Sequence, residues 1–492
     1  MTARSRELFG LLPVSLIVAA GFAAVLATRS EDVSDATLTY GAVFLALCLV
    51  VHLFIRARLP DADPYMFPLA ALLAAVGLVM IYRIEPELAR EQAQWFVVGM
   101  LFFAGTILVL HDHHVLERYR YTIAAASIGL LVMPRLPMVG SQVNGAFLAI
   151  EVGPVQFQPA EFAKLGIIVF LASYLRETGD ILVRPRLRPL PMQRQLLLFG
   201  IPTVVALLIV LVLDLTTVET VLLAVFVVSL VAVIRERPSL KHFGPLLLVW
   251  GLAMLMLIVI RDLGSSLMFF GAFLALLYVA TGRLSIVSVG ATMFLGGAAF
   301  TANNVSHVHD RVETWLDTFS TERVRCPTNG QVTEFVNCQG HQIAQSLFAQ
   351  ADGGLFGEGF GRSMLSSPSG ESLIPAPHTD LIYAVITNEA GLFGAAGLIG
   401  AYLLFTYRGF KTAMLANDGF SKLLATGLTA VFALQVFVIV GGVTRVIPLT
   451  GVTLPFVSYG GSSIVANMVL LALLLIVSDH ARAERLRRGG LV

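Results

Sequence analysis

What most constrains this chain is a repeated pattern of about fourteen apolar runs, each near the ~17–25 residues needed to cross a bilayer as a helix. They lie near 8–28, 39–56, 64–82, 94–111, 120–137, 157–176, 196–213, 219–235, 244–260, 264–281, 284–302, 380–406, 419–443 and 455–478. Several are close to the lower length limit, so about twelve spans is the alternative count. In hydrocarbon every backbone N–H and C=O must be bonded internally, and runs of this length achieve that as helices rather than as a barrel. The expected fold class is therefore an all-α polytopic membrane protein. Composition agrees: 57% of the 492 residues are hydrophobic and only 13% are charged, about half the charge of a soluble domain. The 33 Lys and Arg nearly balance the 32 Asp and Glu. A nucleic-acid binder would show a basic excess, so no such partner is expected. Arg4 and Arg6 followed by an apolar run resemble a signal peptide, but the many runs that follow make it an uncleaved first span.

Lys and Arg set the orientation. Arg4/Arg6, Arg56/Arg58, Arg118/Arg120, Arg176–Arg194, Arg235–Lys241, Arg283, Arg408–Lys422 and Arg482–Arg488 occupy alternate connectors. The intervening connectors at 31–35, 138–154 and 214–219 are acidic or neutral, with blemishes at Arg83, Arg90, Arg135 and Arg261. The alternation predicts both termini in the cytoplasm and an even number of spans. One connector is long: 303–379, on the extracytoplasmic side by this count. It holds Cys326 and Cys338 on either side of Asn329-Gly330, whereas Cys48 lies in an apolar span. Two cysteines in one outward loop make a disulfide candidate, against the alternative of two unpaired thiols.

Ionisable groups within spans cost about 2.5–3.5 kcal/mol each on insertion scales, so each needs a reason. Three places stand out. Gln158, Glu161 and Lys164, spaced by three, share one broad face at the start of a span. They form either a structural ion pair or the lining of a groove. Pro375-Ala376-Pro377-His378-Thr379-Asp380 runs directly into Leu381-Ile382-Tyr383, where Asp380 is either a helix N-cap or a site residue. Glu389, nine residues on, is half a turn out of phase and faces a different neighbour. The stretch from Thr444-Arg445 to Tyr459-Gly460-Gly461-Ser462-Ser463 mixes Gly, Pro and hydroxyls at bilayer depth. It provides either tight small-residue packing or a hydrophilic groove that would explain Arg445 and Tyr459. Weaker signals carry less: His111-Asp112-His113-His114 is only a compositional hint of metal binding. Gly357-Glu358-Gly359-Phe360-Gly361 follows no strand and reads as a loop, and no Walker A, HExxH or nucleophile-elbow pattern is present.

Taken in order, VGPVQFQPAEFAKL (152–165), RDLGSSL (261–267), RVETWLD (311–317), GHQIAQSLFAQADGGLFGEGFG (340–361), PAPHTDLIYAVITNEAGLFG (375–394) and IPLTGVTLPFVSYGGSS (447–463) resemble the SEDS family. This is the shape, elongation, division and sporulation group of membrane polymerases that includes RodA and FtsW. The C-terminal wording is closer to its elongation branch. The resemblance spans roughly 64–480, leaving 1–63 as an additional N-terminal pair and 481–492 as a basic cytoplasmic tail. It implies a glycosyltransferase of the bacterial cytoplasmic membrane that polymerises lipid II into peptidoglycan strands on the outer face. It also implies that Asp380 is essential, that Glu161 and Lys164 line the same cavity, and that a class B penicillin-binding protein, a transpeptidase, is the partner. The sequence departs from the family pattern where Asn144-Gly145-Ala146 continues Phe147-Leu148-Ala149 in place of an Arg- and Trp-bearing loop. It departs again at Asp317-Thr318, at the N-terminal pair, and at a further pair near 196–235.

That chemistry suits the residue types. A sugar 4-hydroxyl attacking an anomeric carbon needs a carboxylate base, worth about 10²–10⁴-fold, and Asp380 is the choice. The leaving diphosphate needs positive charge, for which Arg311, Arg445 and Lys164 are candidates, or a divalent cation (Mg or Mn) with Asp380 as its ligand. No organic cofactor is expected. Gln158, His378, Thr379, Ser458 and Tyr459 complete the expected substrate site. The alternatives are a flippase for a lipid-linked sugar, which would carry polar groups through to the cytoplasmic side, and a scaffold that only recruits a partner; no internal repeat of the transporter kind is evident.

Overall fold

A computed structural model of the chain describes residues 3–28, 34–136, 140–143, 146–152, 155–183, 223–228, 251, 262–326, 330–362 and 374–489. The long helices are α1 (Ala3–Thr28), α2 (Ser34–Arg58), α3 (Met66–Ile84), α4 (Pro86–Val109), α7 (Ala160–Val183), α8 (Leu263–Thr281), α9 (Leu284–Asn304), α12 (Ile382–Leu415), α13 (Gly419–Val443) and α14 (Gly461–Arg487). Shorter ones are α5 (Val115–Arg118), α6 (Arg120–Val132), α10 (Ser306–Leu316) and α11 (His341–Gly353). Among the described residues, nine helices are long and apolar enough to cross a membrane. The chain is a polytopic helical membrane protein. The spans expected at 196–213, 219–235 and 244–260, including the extra pair near 196–235, lie outside the described residues except for short helical pieces.

The run at 120–137 forms α6, which ends at Val132 and continues into a single 3-10 turn that carries Pro134. Together they rise about 25 Å and carry the chain from the basic end, where Arg120 pairs with Glu177, to the opposite end of the bundle. One expectation needs correction: the fold is not all-α throughout, because the connector after α6 holds a small sheet. Strands β1 (Gly140–Val143), β2 (Ala146–Val152) and β3 (Val155–Phe157) form an antiparallel meander in the order β1-β2-β3. Its alternating residues are too few to stand out beside twenty-residue apolar runs. A second hairpin, β4 (Arg323–Arg325) with β5 (Val332–Glu334), lies in the long connector, and the Cys326–Cys338 disulfide forms there as expected.

The two C-terminal helices are the centre of the bundle: 89% of the apolar window of α14 and 78% of that of α13 are buried, against 28% for α1. Helix α14 lies along α4, and α13 packs between α12, α8 and α7. Lipid tails are as apolar as leucine, so close backbone approach does much of the work. A Cβ on Gly461 would meet the Trp95 ring at 2.3 Å, and one on Gly77 would meet the Val457 carbonyl oxygen at 2.5 Å. Helix α12 bends at Gly391 (φ 67°). The backbone groups freed by that bend are not left bare in the bundle. The carbonyls of Asn388 and Glu389 accept from Glu358 N and Gly359 N at 3.0 and 3.1 Å, and Leu392 N donates to Gly354 O at 2.9 Å. The glycine-rich 354–361 loop is thus a splint for the bend.

At one end of the bundle, Asp63 accepts hydrogen bonds from both Arg408 (Nε, 2.9 Å) and Arg482 (Nη2, 2.6 Å). Beside it, the Glu7 carboxylate pairs with Arg4 and with His52. Asp380 precedes α12 and Arg408 lies near its far end, so roughly 40 Å of helix separates this basic end from Asp380.

Candidate active site

Three chain segments converge beyond the N-termini of α12 and α14. Residues 374–381 form turns leading into α12, residues 444–460 cross between α13 and α14, and the β2–β3 hairpin leads into α7. They are tied together by backbone. Tyr459 N donates to His378 O at 2.9 Å, Ser458 Oγ donates to Thr379 O at 2.7 Å, and Gln158 N donates to Ser462 Oγ at 2.9 Å. Gln92 of α4 clasps the same crossing, with Nε2 on Ser458 O and Oε1 accepting from Gly460 N. The crossing is strained: Arg445, Phe456 and, opposite, Ala376 have φ of 60°, 64° and 46°. Non-glycine residues persist in that region only where their surroundings hold them, and they cluster at functional sites.

These segments enclose a polar cleft of about 710 Å³. Asp380, Thr379, His378, Gln158 and Tyr459, all expected from the sequence, line it, together with Ser462 and Ser463. Asp380 is no N-cap; α12 has no side-chain cap. Its carboxylate lies over Gly451, whose missing Cβ would sit 3.6 Å from Oδ2. Burial pushes the Asp380 carboxyl up to about 6, opposed by the Arg311 guanidinium. Burial also lowers His378, against the pull of Glu85, so its ring is neutral at neutral pH. Tyr459 donates its hydroxyl to Glu91 and is pushed upward by burial and by that carboxylate.

The other expected residues lie around the cleft rather than on its lining. Lys164 Nζ bridges Glu161 (2.6 Å) and Gln435 Oε1 (2.7 Å), and Gln435 Nε2 holds the Thr453 carbonyl at 2.8 Å. Glu161 and Lys164 are buried, so the pair is a floor under the cleft, and Thr453 is the lining residue it positions. Arg311 donates to Leu449 O at 3.0 Å and reaches Asp380 only through its field. Arg445 is committed elsewhere, donating to Trp315 O (2.7 Å) and Leu316 O (2.6 Å) at the C-terminus of α10, while Trp315 Nε1 returns a bond to Arg445 O. A guanidinium there complements the helix dipole. Ser458 is buried in its two backbone bonds. Cys326 directly follows β4 and Cys338 follows the 3-10 turn after β5, so the disulfide lies beside the β4–β5 hairpin and not in the cleft. Glu389 faces away from Asp380, as its phase requires, and pairs with Arg83, which accounts for that stray cation among the outward connectors.

The sequence reading did not single out Glu91, Gln94, Trp95 or Gln156, which also line the cleft, nor the buried Asp262, whose carboxylate feels both Arg311 and Glu161. The polar run Glu87-Arg90-Glu91-Gln92-Gln94 at the head of α4 was the available signal. Asn144 and Gly145, which keep the family pattern, lie outside the described residues, while Ala149 of β2, part of the departing stretch, reaches the cleft. No Lys or Arg is found among the described lining residues.

A family model described as "Cell cycle protein" (FtsW, RodA and SpoVE) matches residues 64–237 and 233–483. The chain is 35% identical over 98% of its length to the peptidoglycan glycosyltransferase RodA of Mycobacterium tuberculosis, covering 92% of that protein. It is 26% identical over 85% of its length to the stage V sporulation protein E of Bacillus subtilis, covering 98% of it. A solved structure described as "Structural coordination of polymerization and crosslinking by a peptidoglycan synthase complex" aligns with a TM-score of 0.56 at 25% identity. That alignment covers 85% of this chain and 98% of the other.

Proposed function

The chain belongs to the FtsW/RodA/SpoVE family and is a membrane-embedded peptidoglycan glycosyltransferase, and from that premise we propose that it polymerises lipid II with Asp380 as the general base. The observation that carries the reading is one carboxylate poised near neutrality in a polar cleft. The acceptor sugar's 4-hydroxyl oxygen forms a bond to the anomeric carbon of the donor. The bond from that carbon to the lipid diphosphate breaks, the diphosphate leaves with the electron pair, and Asp380 takes the hydroxyl proton. A base is most effective when its pKa lies near the working pH. Neutral His378, with Gln158 and Ser462, offers hydrogen bonds to sugar hydroxyls.

With no cation on its described lining, the cleft leaves the diphosphate charge to be met by other means. Arg311, held behind Asp380, contributes only its field. A divalent ion of the Mg class fits this donor set: such ions are usually held by one or two carboxylates together with substrate phosphates and water. Asp380 would be its protein ligand in place of the base role, and the ion would supply charge to the leaving group.

The flippase alternative draws no support from the path below the cleft. Beneath the Lys164–Gln435 floor, Phe432 packs against Phe405, Tyr402 and Phe456, an apolar plug rather than a polar path. The basic cluster around Asp63 and the cleft lie at opposite ends of α12, which supports a cleft facing outward and termini facing the cytoplasm of the bacterial inner membrane. A class B penicillin-binding protein, docked to use the strands as they emerge, is the expected partner. The test is polymerisation of lipid II by purified protein, with and without that transpeptidase. Asp380→Asn inserts normally and loses activity by at least about 10²-fold; activity near wild type would remove Asp380 from this role.

A further inference from the structure

At the basic end of the bundle, the connector between α4 and α5 places Asp112, His113 and His114 so that one ligand atom from each lies within 4.8 Å of the others. His113 is completely buried. Its Nε2 is bonded to Ser421 Oγ, and its Nδ1 is buried without a partner. A buried ring nitrogen with nothing to bond is destabilising and asks for a reason. His114 Nδ1 lies 2.8 Å from Asp112 Oδ1, and its Nε2 lies 3.4 Å from Asp418 Oδ1. His480 of α14 stacks edge-on against His113 with ring centroids 5.1 Å apart. Two imidazoles and the Asp112 carboxylate thus surround one point, with Asp418 on the far nitrogen of His114.

We propose that this cluster binds one divalent transition ion of the Zn²⁺ class, with His113 Nδ1, His114 Nδ1 and Asp112 as ligands, water completing the shell, and Asp418 holding the far nitrogen of His114 as an outer-shell partner. The donor set is what such ions take: imidazole nitrogens and a carboxylate oxygen in roughly tetrahedral array. Donor atoms around a tetrahedral ion stand about 3.4 Å apart, so ligands now within 4.8 Å of one another would shift by up to about 1.4 Å to hold it. The cation would replace the proton now shared between His114 and Asp112. The Ser421 hydroxyl on the far nitrogen of His113 is the outer-shell partner that fixes the ring of a metal-bound histidine. Because Asp418 caps α13 and Ser421 lies in its first turn, an ion here would staple the α4–α5 connector to the central helix. It would do so at the end of the bundle away from the cleft.

The test uses the full-length protein in detergent, purified without a polyhistidine tag and stripped with EDTA. Zn²⁺ is titrated by calorimetry, and Co²⁺ is added in parallel for its visible absorption bands. One equivalent is expected to bind and to raise the thermal midpoint, with Co²⁺ bands of a low-symmetry nitrogen–oxygen site. His114→Gln and Asp112→Asn, both at positions open to solvent, are expected to weaken binding about tenfold or more, with metal-free midpoints near wild type. Asp418→Asn should give a loss in the ~10–100-fold range of outer-shell changes. No stoichiometric binding to the folded wild type, or affinity unchanged in both His114→Gln and Asp112→Asn, would overturn the assignment.

Discussion

Replacing Asp380 by Asn should separate two properties that a carboxylate in a poorly solvated cleft combines. Its pKa stands at about 6 against an ordinary 3.8. The folded protein therefore holds that proton more tightly than the unfolded chain, and keeping the carboxylate ionised at neutral pH costs stability. About two pKa units correspond to about 3 kcal/mol, an upper figure because the group is only partly withdrawn from water. The sign follows directly: the penalty is full above pH ~6, falls to about half near pH 5, and is gone below pH ~4, where both states are protonated. Asn fills the same volume without the charge, so Asp380→Asn should melt higher than wild type at pH 7.5, with the gap narrowing steadily toward pH 5. Thermal unfolding in detergent across that pH range, beside a lipid II polymerisation assay on the same samples, reads both properties. A variant that is inactive and more stable fits a poised base. One that is inactive and less stable at pH 7.5, with no pH trend in the difference, would mean that the charge is satisfied by the fold, and the reasoning would fail.

Lys164→Met should destabilise the protein by about 3–5 kcal/mol by leaving Glu161 buried and unpaired, whereas adding Glu161→Gln should recover much of that loss; thermal midpoints of the two single variants and the double variant check it. Gly451→Ala places an L-residue at φ 73° and a methyl against the Asp380 carboxylate, so steady-state kinetics should show turnover reduced several-fold with little change in KM. Arg445→Ala should lower stability by about 1–3 kcal/mol, because it strips the bonds on the α10 terminus. In that variant the ratio of activity to folded protein should stay near wild type, since the residue does not line the cleft.

The helical bundle was legible because a bilayer imposes one length and one hydrogen-bonding solution on every crossing. The small sheet over 140–157 was not, since a few alternating residues carry little signal. Asp380, His378, Thr379, Gln158 and Tyr459 were legible as a group through motif order, although up to three hundred residues of chain separate them. Arg445 was read toward an anion because a cation at membrane depth demands a partner. Its partners are backbone carbonyls, which sequence does not display. Lys164 was read toward the substrate for the same reason, but Gln435, the residue that completes its shell, lies 271 positions away. Glu91 precedes the apolar run at 94–111 and Trp95 lies at its start, with no motif to mark them; only the packing of α4 on α14 brings them to the cleft.

The most direct test is the pH dependence of single-turnover glycan formation by the wild-type enzyme. The rate should rise about tenfold per pH unit below pH ~6 and level off above it, as the Asp380 carboxylate ionises. A rate unchanged from pH 5 to 8, measured under conditions where chemistry rather than product release is limiting, would contradict Asp380 as the proton acceptor.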